Sequence, residues 1–154
     1  MRAEEIIATH PDVQGSTSRN LIAAIAETLS CAQVCTSCAD ACLAEDQPER
    51  MKQCIRLCLD CADVCVATGL TATRRAGSNE ELIAEMLAVC ATACRLCGDE
   101  CARHATMHEH CRICAEACLA CAQACQRAIG DVGGGPSDAV VDEGPLGDNA
   151  DAPV

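Results

Sequence analysis

The sequence predicts an all-α protein, an antiparallel up-down-up-down four-helix bundle whose core is lined with cysteines. Three observations support this prediction: cysteines that recur every three or four residues in four segments, a chain rich in Ala and Leu, and no Phe, Tyr or Trp. Alternating intervals of three and four residues are typical of one face of an α-helix. Ala and Leu are strong helix formers, and a core without aromatic residues must be built from aliphatic side chains and the cysteines themselves.

The 17 cysteines fall into four segments with matching spacing. The intervals are 4, 3 and 4 residues in the first three segments, and 3, 4, 3 and 4 in the last. At about 100° per residue, the cysteines of one segment lie within an arc of roughly 60–80° on their helix. Each predicted helix therefore carries one cysteine stripe. The four stripes are Cys31, Cys35, Cys38 and Cys42; Cys54, Cys58, Cys61 and Cys65; Cys90, Cys94, Cys97 and Cys101; and Cys111, Cys114, Cys118, Cys121 and Cys125.

Capping signals predict where the helices begin and end. The segments 46–49, with an early Pro, 78–81 and 106–109 are typical of helix starts, and Gly130 is expected to close the last helix. Because short links join long helices, neighbouring helices are expected to run antiparallel. The predicted helices cover 17–44, 47–74, 79–104 and 107–129.

Composition divides the chain into three parts. We expect an N-terminal extension with a possible short helix over 1–16, the metal-binding four-helix bundle over 17–129, and a disordered acidic tail over 130–154. The tail prediction rests on its Gly, Pro and Asp content, because such a segment cannot bury enough apolar surface to fold.

Charge and the N-terminal sequence indicate the compartment and argue against some partners. The formal net charge is −12, which disfavours nucleic acid and anionic membrane surfaces, because both attract basic patches. The N-terminus carries two early glutamates and lacks an apolar run of signal-peptide length, and no segment reaches the ~18 apolar residues of a membrane span. We therefore expect a cytosolic protein, in which cysteines stay reduced or bind metal.

So many cysteines on matching stripes favour metal binding over packing or disulfides. A buried cysteine can be a small hydrophobe, but Ala, Val or Leu would fill 17 such positions without the risk of oxidation. Disulfides need a specific geometry that thiols one helical turn apart do not offer without strain. Thiolates select soft ions, namely Cu(I), Zn(II) or iron–sulfur clusters.

Spacing and charge favour several Cu(I) ions per chain. Thiols three or four residues apart on a helix have Cβ atoms about 5–6 Å apart, so two of them can hold one low-coordinate ion. Structural zinc sites use paired CxxC units around loops, and iron–sulfur cysteines usually come from irregular loops. Thiolates that bridge Cu(I) ions leave the filled core close to neutral, whereas several four-thiolate zinc sites would bury negative charge.

Other metal-binding classes stay open at this point. A zinc or mixed-metal thiolate buffer of metallothionein type is one alternative, and an iron–sulfur electron carrier is another. A copper chaperone or sensor would need only one or two sites.

The two ends of the predicted bundle differ in chemistry. At one end the stripes continue into thioether and imidazole side chains, the natural weaker companions of thiolate for copper: Met51, His104, Met107 and His108. Nearby, His110 is expected to point outward. The other end is predicted to form a dry aliphatic plug from Leu21, Ile22, Ile25, Leu29, Leu70, Ile83, Met86 and Leu87. We infer that metal enters at the end with His and Met.

The four stripes and the segment HATMHEHC at 104–111 resemble those of the bacterial cytosolic copper storage proteins, four-helix bundles with cysteine-lined cores. The resemblance covers 17–129 and implies storage of many Cu(I) ions, which protects against copper toxicity and holds copper for later use. All 17 cysteines carry over as ligands, and His104, Met107 and His108 match the mouth. The resemblance also implies a homotetramer.

The sequence contains no residue set typical of an active site, so we expect binding and release rather than catalysis.

Overall fold

The computed structural model describes residues 1–13 and 17–132. Within them the chain forms five α-helices and one short 3₁₀ helix, in agreement with the predicted all-α class. The short N-terminal helix expected within 1–16 is present as α1. The helices are α1 (Arg2–Ala8), α2 (Arg19–Leu43), the 3₁₀ helix (Pro48–Met51), α3 (Lys52–Thr73), α4 (Glu80–His104) and α5 (Glu109–Val132).

The four long helices close into a ring, because α2 packs on α3, α3 on α4, α4 on α5 and α5 on α2. The contacting thiols show the helix directions. Cys31 Sγ lies 3.9 Å from Cys118 Sγ, whereas Cys35, one turn further along α2, lies 3.8 Å from Cys114, one turn earlier on α5. Likewise, α3 and α4 bring Cys54 to 3.6 Å from Cys101 and Cys65 to 3.6 Å from Cys90. Positions rise along one helix as they fall along its neighbour, which indicates opposite directions.

The last helix is longer at its C-terminal end than predicted. Gly130 was expected to end it, but α5 continues to Val132, and Gly130 does not adopt a positive φ. The extra turn is tied to the start of α2, because Asp131 Oδ2 accepts hydrogen bonds from Ser18 Oγ at 2.5 Å and Asn20 Nδ2 at 2.9 Å. Residues 130–132 of the predicted tail are therefore helical, and its remainder, 133–154, lies outside the described residues.

The predicted helix starts differ from the observed ones by one to five residues. In α5 the first helical residue is Glu109 rather than 107, because the chain after α4 first makes a turn in which His108 N donates to His104 O at 2.9 Å. Before α3 the segment with the early Pro forms the 3₁₀ helix instead of an α-helical turn. Ser18 caps α2 by accepting a hydrogen bond from Leu21 N at 3.1 Å.

Helix α2 is long and apolar enough to cross a membrane by length and composition alone, with a mean hydropathy of 1.4 over its best 18-residue window. In the structure, 44% of that window is buried, and α2 packs against α3 and α5. The apolar character of α2 is therefore accounted for by its position in the bundle, because a core helix passes the same hydropathy test.

One end of the bundle is filled by aliphatic side chains, and we call it the aliphatic end. Leu21, Ile25, Ile83 and Leu87 are buried there, as predicted. Leu70 is not part of this plug, since it is 50% exposed. Five residues separate it from Cys65, which turns it away from the stripe. The inward positions of α3 are taken instead by Thr68, Gly69 and Ala72, which are buried.

Gly69 allows α2 and α3 to approach closely at the aliphatic end. A Cβ atom on Gly69 would lie 2.7 Å from Thr28 Oγ1 and 3.0 Å from Leu29 Cδ2. Thr28 is fully buried, and its hydroxyl donates to Ile25 O at 2.9 Å. The hydroxyl is thus held in place and cannot move aside without losing this hydrogen bond.

We expect Gly69→Ala to lower the free energy of unfolding by about 1–3 kcal/mol, because the added methyl group overpacks the contact between α2 and α3. Urea denaturation of the metal-free protein followed by circular dichroism measures this change. Gly130→Ala is the matched control, since a Cβ atom there meets nothing within 4 Å. The control should gain stability by about 0.5–1 kcal/mol, because Ala is preferred over Gly in a helix. Equal stability of Gly69→Ala and the unchanged protein would contradict the close approach.

Candidate metal centre

The core of the bundle is a continuous column of thiols. All 17 cysteines are buried free thiols, and the stripes of the four long helices face one another across the centre. Neighbouring sulfurs lie 3.6–4.0 Å apart, both within one helix, as for Cys61 and Cys65 at 3.9 Å, and between helices, as for Cys58 and Cys101 at 3.6 Å. The inward orientation predicted from the spacing is what the structure has.

The thiols gather into groups of four that could each hold a metal ion, with all four sulfurs within 4.8 Å of one another. Each group draws on at least two helices. From the aliphatic end onward, five such groups are Cys31, Cys65, Cys94 and Cys121; Cys31, Cys35, Cys61 and Cys118; Cys35, Cys97, Cys114 and Cys118; Cys38, Cys54, Cys58 and Cys101; and Cys38, Cys42, Cys54 and Cys111.

Most neighbouring groups share thiols. The third and fourth groups share none, but Cys58 Sγ of the fourth lies 3.7 Å from Cys97 Sγ and 3.9 Å from Cys114 Sγ of the third. Cys31 belongs to the first and second groups, Cys35 and Cys118 to the second and third, and Cys38 and Cys54 to the fourth and fifth. A site that shares its ligands with the next site is suited to bridging thiolates rather than to isolated four-thiolate centres. The arrangement therefore favours a chain of linked ions over separate ones.

The sulfur spacing fits soft d¹⁰ ions of low coordination number. With metal–sulfur bonds of about 2.3 Å, sulfurs must lie about 3.8 Å apart around a tetrahedral ion and about 4.0 Å apart around a trigonal one. The observed separations of 3.6–4.0 Å span both values. Ions of either geometry can therefore bind with little rearrangement of the backbone. The choice between them depends on the shared thiols, which favour bridged ions over separate four-thiolate centres.

The opposite end of the column carries imidazole and thioether groups, and we call it the histidine end. A cavity of about 440 Å³ opens there between the link from α2 to α3 and the link from α4 to α5. The four side chains predicted from sequence as an entry site all line it: Met51, His104, Met107 and His108.

The four entry residues lie at different depths. Met51 is buried, at 3% exposure, whereas Met107 is 77% exposed. His104 is largely buried and lies 3.3 Å from the carboxylate of Glu100, through its Nε2. His108 Nδ1 lies 2.9 Å from Glu45 Oε1. The cavity thus contains both exposed and buried side chains of the kinds that bind copper more weakly than thiolate.

His110 does not point outward as expected. Its Nδ1 lies 3.5 Å from Cys38 Sγ, 3.5 Å from Cys111 Sγ and 4.0 Å from Cys42 Sγ. On the other side of the ring, Nε2 lies 2.9 Å from Glu45 Oε1. His110 is four residues before Cys114, and this spacing could have placed it beside the stripe.

Burial favours the protonated form of Cys42 and Cys111, two thiols near the histidine end. Desolvation, with the nearby charge of Cys54, raises the pKa of Cys42 from 9.0 to about 11 and raises that of Cys111 above its ordinary value. In contrast, the hydrogen bond from His110 lowers the pKa of Glu45. A metal ion must therefore displace the protons of these two thiols to bind them.

Known proteins share this architecture. The model of the family described as "Copper storage protein" matches residues 17–130. The structure of the copper storage protein Ccsp from Streptomyces lividans, loaded with 10 copper equivalents, matches with a TM-score of 0.80 and 48% sequence identity. The match covers 83% of this chain and 98% of that one. Among curated proteins, none matches this chain.

Two further structures of that Streptomyces lividans protein are similar. One, described as copper loading to a cytosolic copper storage protein with five coppers, has a TM-score of 0.71 and 52% identity, over 72% of this chain and 92% of that one. The other is a variant with one histidine replaced by alanine, with a TM-score of 0.72 and 50% identity, over 73% of this chain and 94% of that one.

Because folding raises the pKa of Cys42, the free energy of unfolding of the metal-free protein should vary with pH in the alkaline range. Folding favours the protonated thiol of Cys42, so this contribution to stability is present below pH 9.0 and is lost as the pH rises through about 11. We expect the free energy of unfolding to be flat from pH 7 to 8 and to fall above pH 9. Anaerobic urea denaturation across this range measures it.

The composition makes that measurement specific. The chain has no Tyr and a single lysine, Lys52, so thiols are nearly the only groups that titrate between pH 9 and 11. A free energy of unfolding that stays constant to pH 11 would contradict the burial of protonated thiols.

Proposed function

The chain belongs to the copper storage protein family, and we propose that it stores many Cu(I) ions along its thiol column in the cytosol. The observation that carries the proposal is a continuous column of four-sulfur groups, most of which share thiols with the next group and the rest of which are in sulfur contact with it. Bridging lets the number of bound Cu(I) ions approach the number of thiolates. Each Cu(I) ion then balances about one thiolate charge, so a filled core is close to neutral, which limits the cost of burying it.

The relatives support both the metal and the compartment. The Streptomyces lividans protein is described as cytosolic, and its structures are described as loaded with 10 copper equivalents and with five coppers. We infer the same compartment and metal for this chain. Storage of this kind protects the cell from free Cu(I) and keeps copper for later use. The work is binding and release rather than catalysis.

Zinc and iron–sulfur clusters fit the column less well. A four-thiolate zinc site carries two negative charges, and a row of such sites would place several uncompensated charges in one dry core. Iron–sulfur clusters are usually held by cysteines on irregular loops, whereas these 17 cysteines all lie on α2, α3, α4 and α5.

Anaerobic titration with Cu(I) against a competing chelator tests the proposed function. We expect tight uptake of more than one Cu(I) ion per two cysteines, because neighbouring sites share thiolates. A parallel titration with Zn(II) is the control and should saturate near four ions, since zinc prefers four ligands of its own. Cu(I) uptake that also stops near four ions would contradict storage, and visible absorbance of the protein as purified would favour an iron–sulfur carrier.

We further propose that Cu(I) enters and leaves at the histidine end. The cavity there is lined by imidazole and thioether groups, which bind copper more weakly than thiolates and so suit passage rather than retention. Beside it, His110 Nδ1 lies 3.5 Å from Cys38 Sγ and from Cys111 Sγ. The aliphatic end offers only alkyl groups and two buried threonine hydroxyls, Thr28 and Thr68, among the described residues that fill it. Both hydroxyls donate to backbone carbonyl oxygens.

Replacement of Met51, His104, Met107 and His108 together by Ala is expected to slow both Cu(I) loading and its removal by a chelator. The equilibrium capacity should fall by a few ions at most, because the thiol column is retained. Stopped-flow measurement under anaerobic conditions follows both rates. Rates equal to those of the unchanged protein would place the entry elsewhere.

We also propose a homotetramer, on the basis of the family resemblance and one surface feature. Leu82, Val89 and Leu96 lie seven residues apart on α4 and are 54%, 53% and 44% exposed. Such a stripe on an outer helix face is suited to packing against another helix. Light scattering of the purified protein measures the number of chains directly.

A further inference from the structure

Glu45 lies between two imidazoles at the histidine end, His108 and His110. It follows the C-terminal end of α2, whereas His108 and His110 flank the start of α5. A single oxygen, Glu45 Oε1, lies 2.9 Å from His108 Nδ1 and 2.9 Å from His110 Nε2. The two ring centroids are 5.5 Å apart and tilted by 32°, so the carboxylate holds both rings at once.

This geometry defines which ring nitrogens carry hydrogen. An ionised carboxylate accepts hydrogen bonds and cannot donate them. Both contacting nitrogens, Nδ1 of His108 and Nε2 of His110, must therefore be N–H donors. A neutral imidazole has only one N–H, so its second nitrogen is left with a free lone pair.

The two free lone pairs lie where an entering ion would need them. In His110 the free nitrogen is Nδ1, which faces Cys38 and Cys111 at 3.5 Å each. In His108 it is Nε2, on a ring that lines the outer cavity. Histidines that bind metals usually donate their other N–H to a carboxylate, which fixes the ring and makes the binding nitrogen more basic.

We propose that Glu45 is a positioning residue for copper transfer, which fixes His108 with Nε2 free towards the cavity and His110 with Nδ1 free towards the first thiols. The proposal rests on the proposed entry at the histidine end. Cu(I) passes from one imidazole to the next and then to thiolate, and the ion replaces a thiol proton only at the last step. Without Glu45, His110 is free to carry its hydrogen on Nδ1, and a protonated Nδ1 has no lone pair with which to bind the ion.

The test compares Glu45→Gln and Glu45→Ala with Glu49→Gln. A glutamine keeps the shape of Glu45, but its amide oxygen is uncharged and therefore a weaker acceptor for the two N–H donors. Glu49→Gln removes the same charge from the link between α2 and α3 while Glu45 stays in place. We expect both Glu45 variants to load Cu(I) about 10–100-fold more slowly, which is the usual effect of losing such a partner. Their final copper capacity and that of the Glu49 variant should be unchanged.

A spectroscopic measurement separates positioning from a structural role. Nitrogen-15 NMR of the histidine rings in the metal-free protein reports which nitrogen carries hydrogen. We expect His108 protonated at Nδ1 and His110 at Nε2 in the unchanged and Glu49→Gln proteins, and mixed or reversed states in the Glu45 variants. A lower free energy of unfolding with unchanged ring states and loading rates would make Glu45 a structural tie between α2 and α5 and overturn the proposal.

The outcomes also distinguish this proposal from storage itself. If the unchanged protein binds many Cu(I) ions and the Glu45 variants load at its rate, only the positioning role of Glu45 fails. If the unchanged protein binds few Cu(I) ions, storage fails before Glu45 is considered. Opposite ring states in the unchanged protein, with hydrogen on His110 Nδ1, would overturn the positioning role regardless of the rates.

Discussion

The structure depends on one constraint: the four long helices must bring sulfur atoms within 3.6–4.0 Å of one another over most of the length of the core. Cysteine is small, and the chain has no aromatic side chain to spread the helices. The helices can therefore pack closely, and a thiol on one helix reaches thiols on two or three others. Capacity for metal and closeness of packing thus come from the same residues.

The two ends of the bundle hold the helices together by different means. At the aliphatic end, alkyl side chains such as Ile25 and Ile83 are fully buried, and Gly69 lets α2 and α3 touch. At the histidine end, Glu45 links α2 to α5 through His108 and His110. The large aliphatic side chains of the core are thus concentrated at one end of the bundle, and the imidazole and carboxylate groups that can exchange protons and ions lie at the other.

Periodicity was sufficient to predict the four stripes and their inward orientation, because an α-helix fixes the direction of every side chain to within a few tens of degrees. It was less informative where side-chain reach or local turns matter. His110 is about 100° from Cys111 around the helix, yet its long ring turns back to Cys38 on α2. The C-terminal end of α5 was misplaced because the contacts of Asp131 with Ser18 and Asn20 are tertiary, and residues so far apart in sequence give no local signal.

The proposed entry at the histidine end has a consequence for how ions move within the column. Cu(I) that enters at the histidine end reaches the group of Cys31, Cys65, Cys94 and Cys121 only by passing the other groups. Thiols that belong to two groups, such as Cys35 and Cys118, allow an ion to form a bond in the next group before it leaves the last one. Direct exchange between shared thiolates avoids a free ion in an apolar core, which would carry a large desolvation cost. Under the proposed entry, thiols that bridge ions in the filled column would therefore also serve as steps along which the column fills and empties.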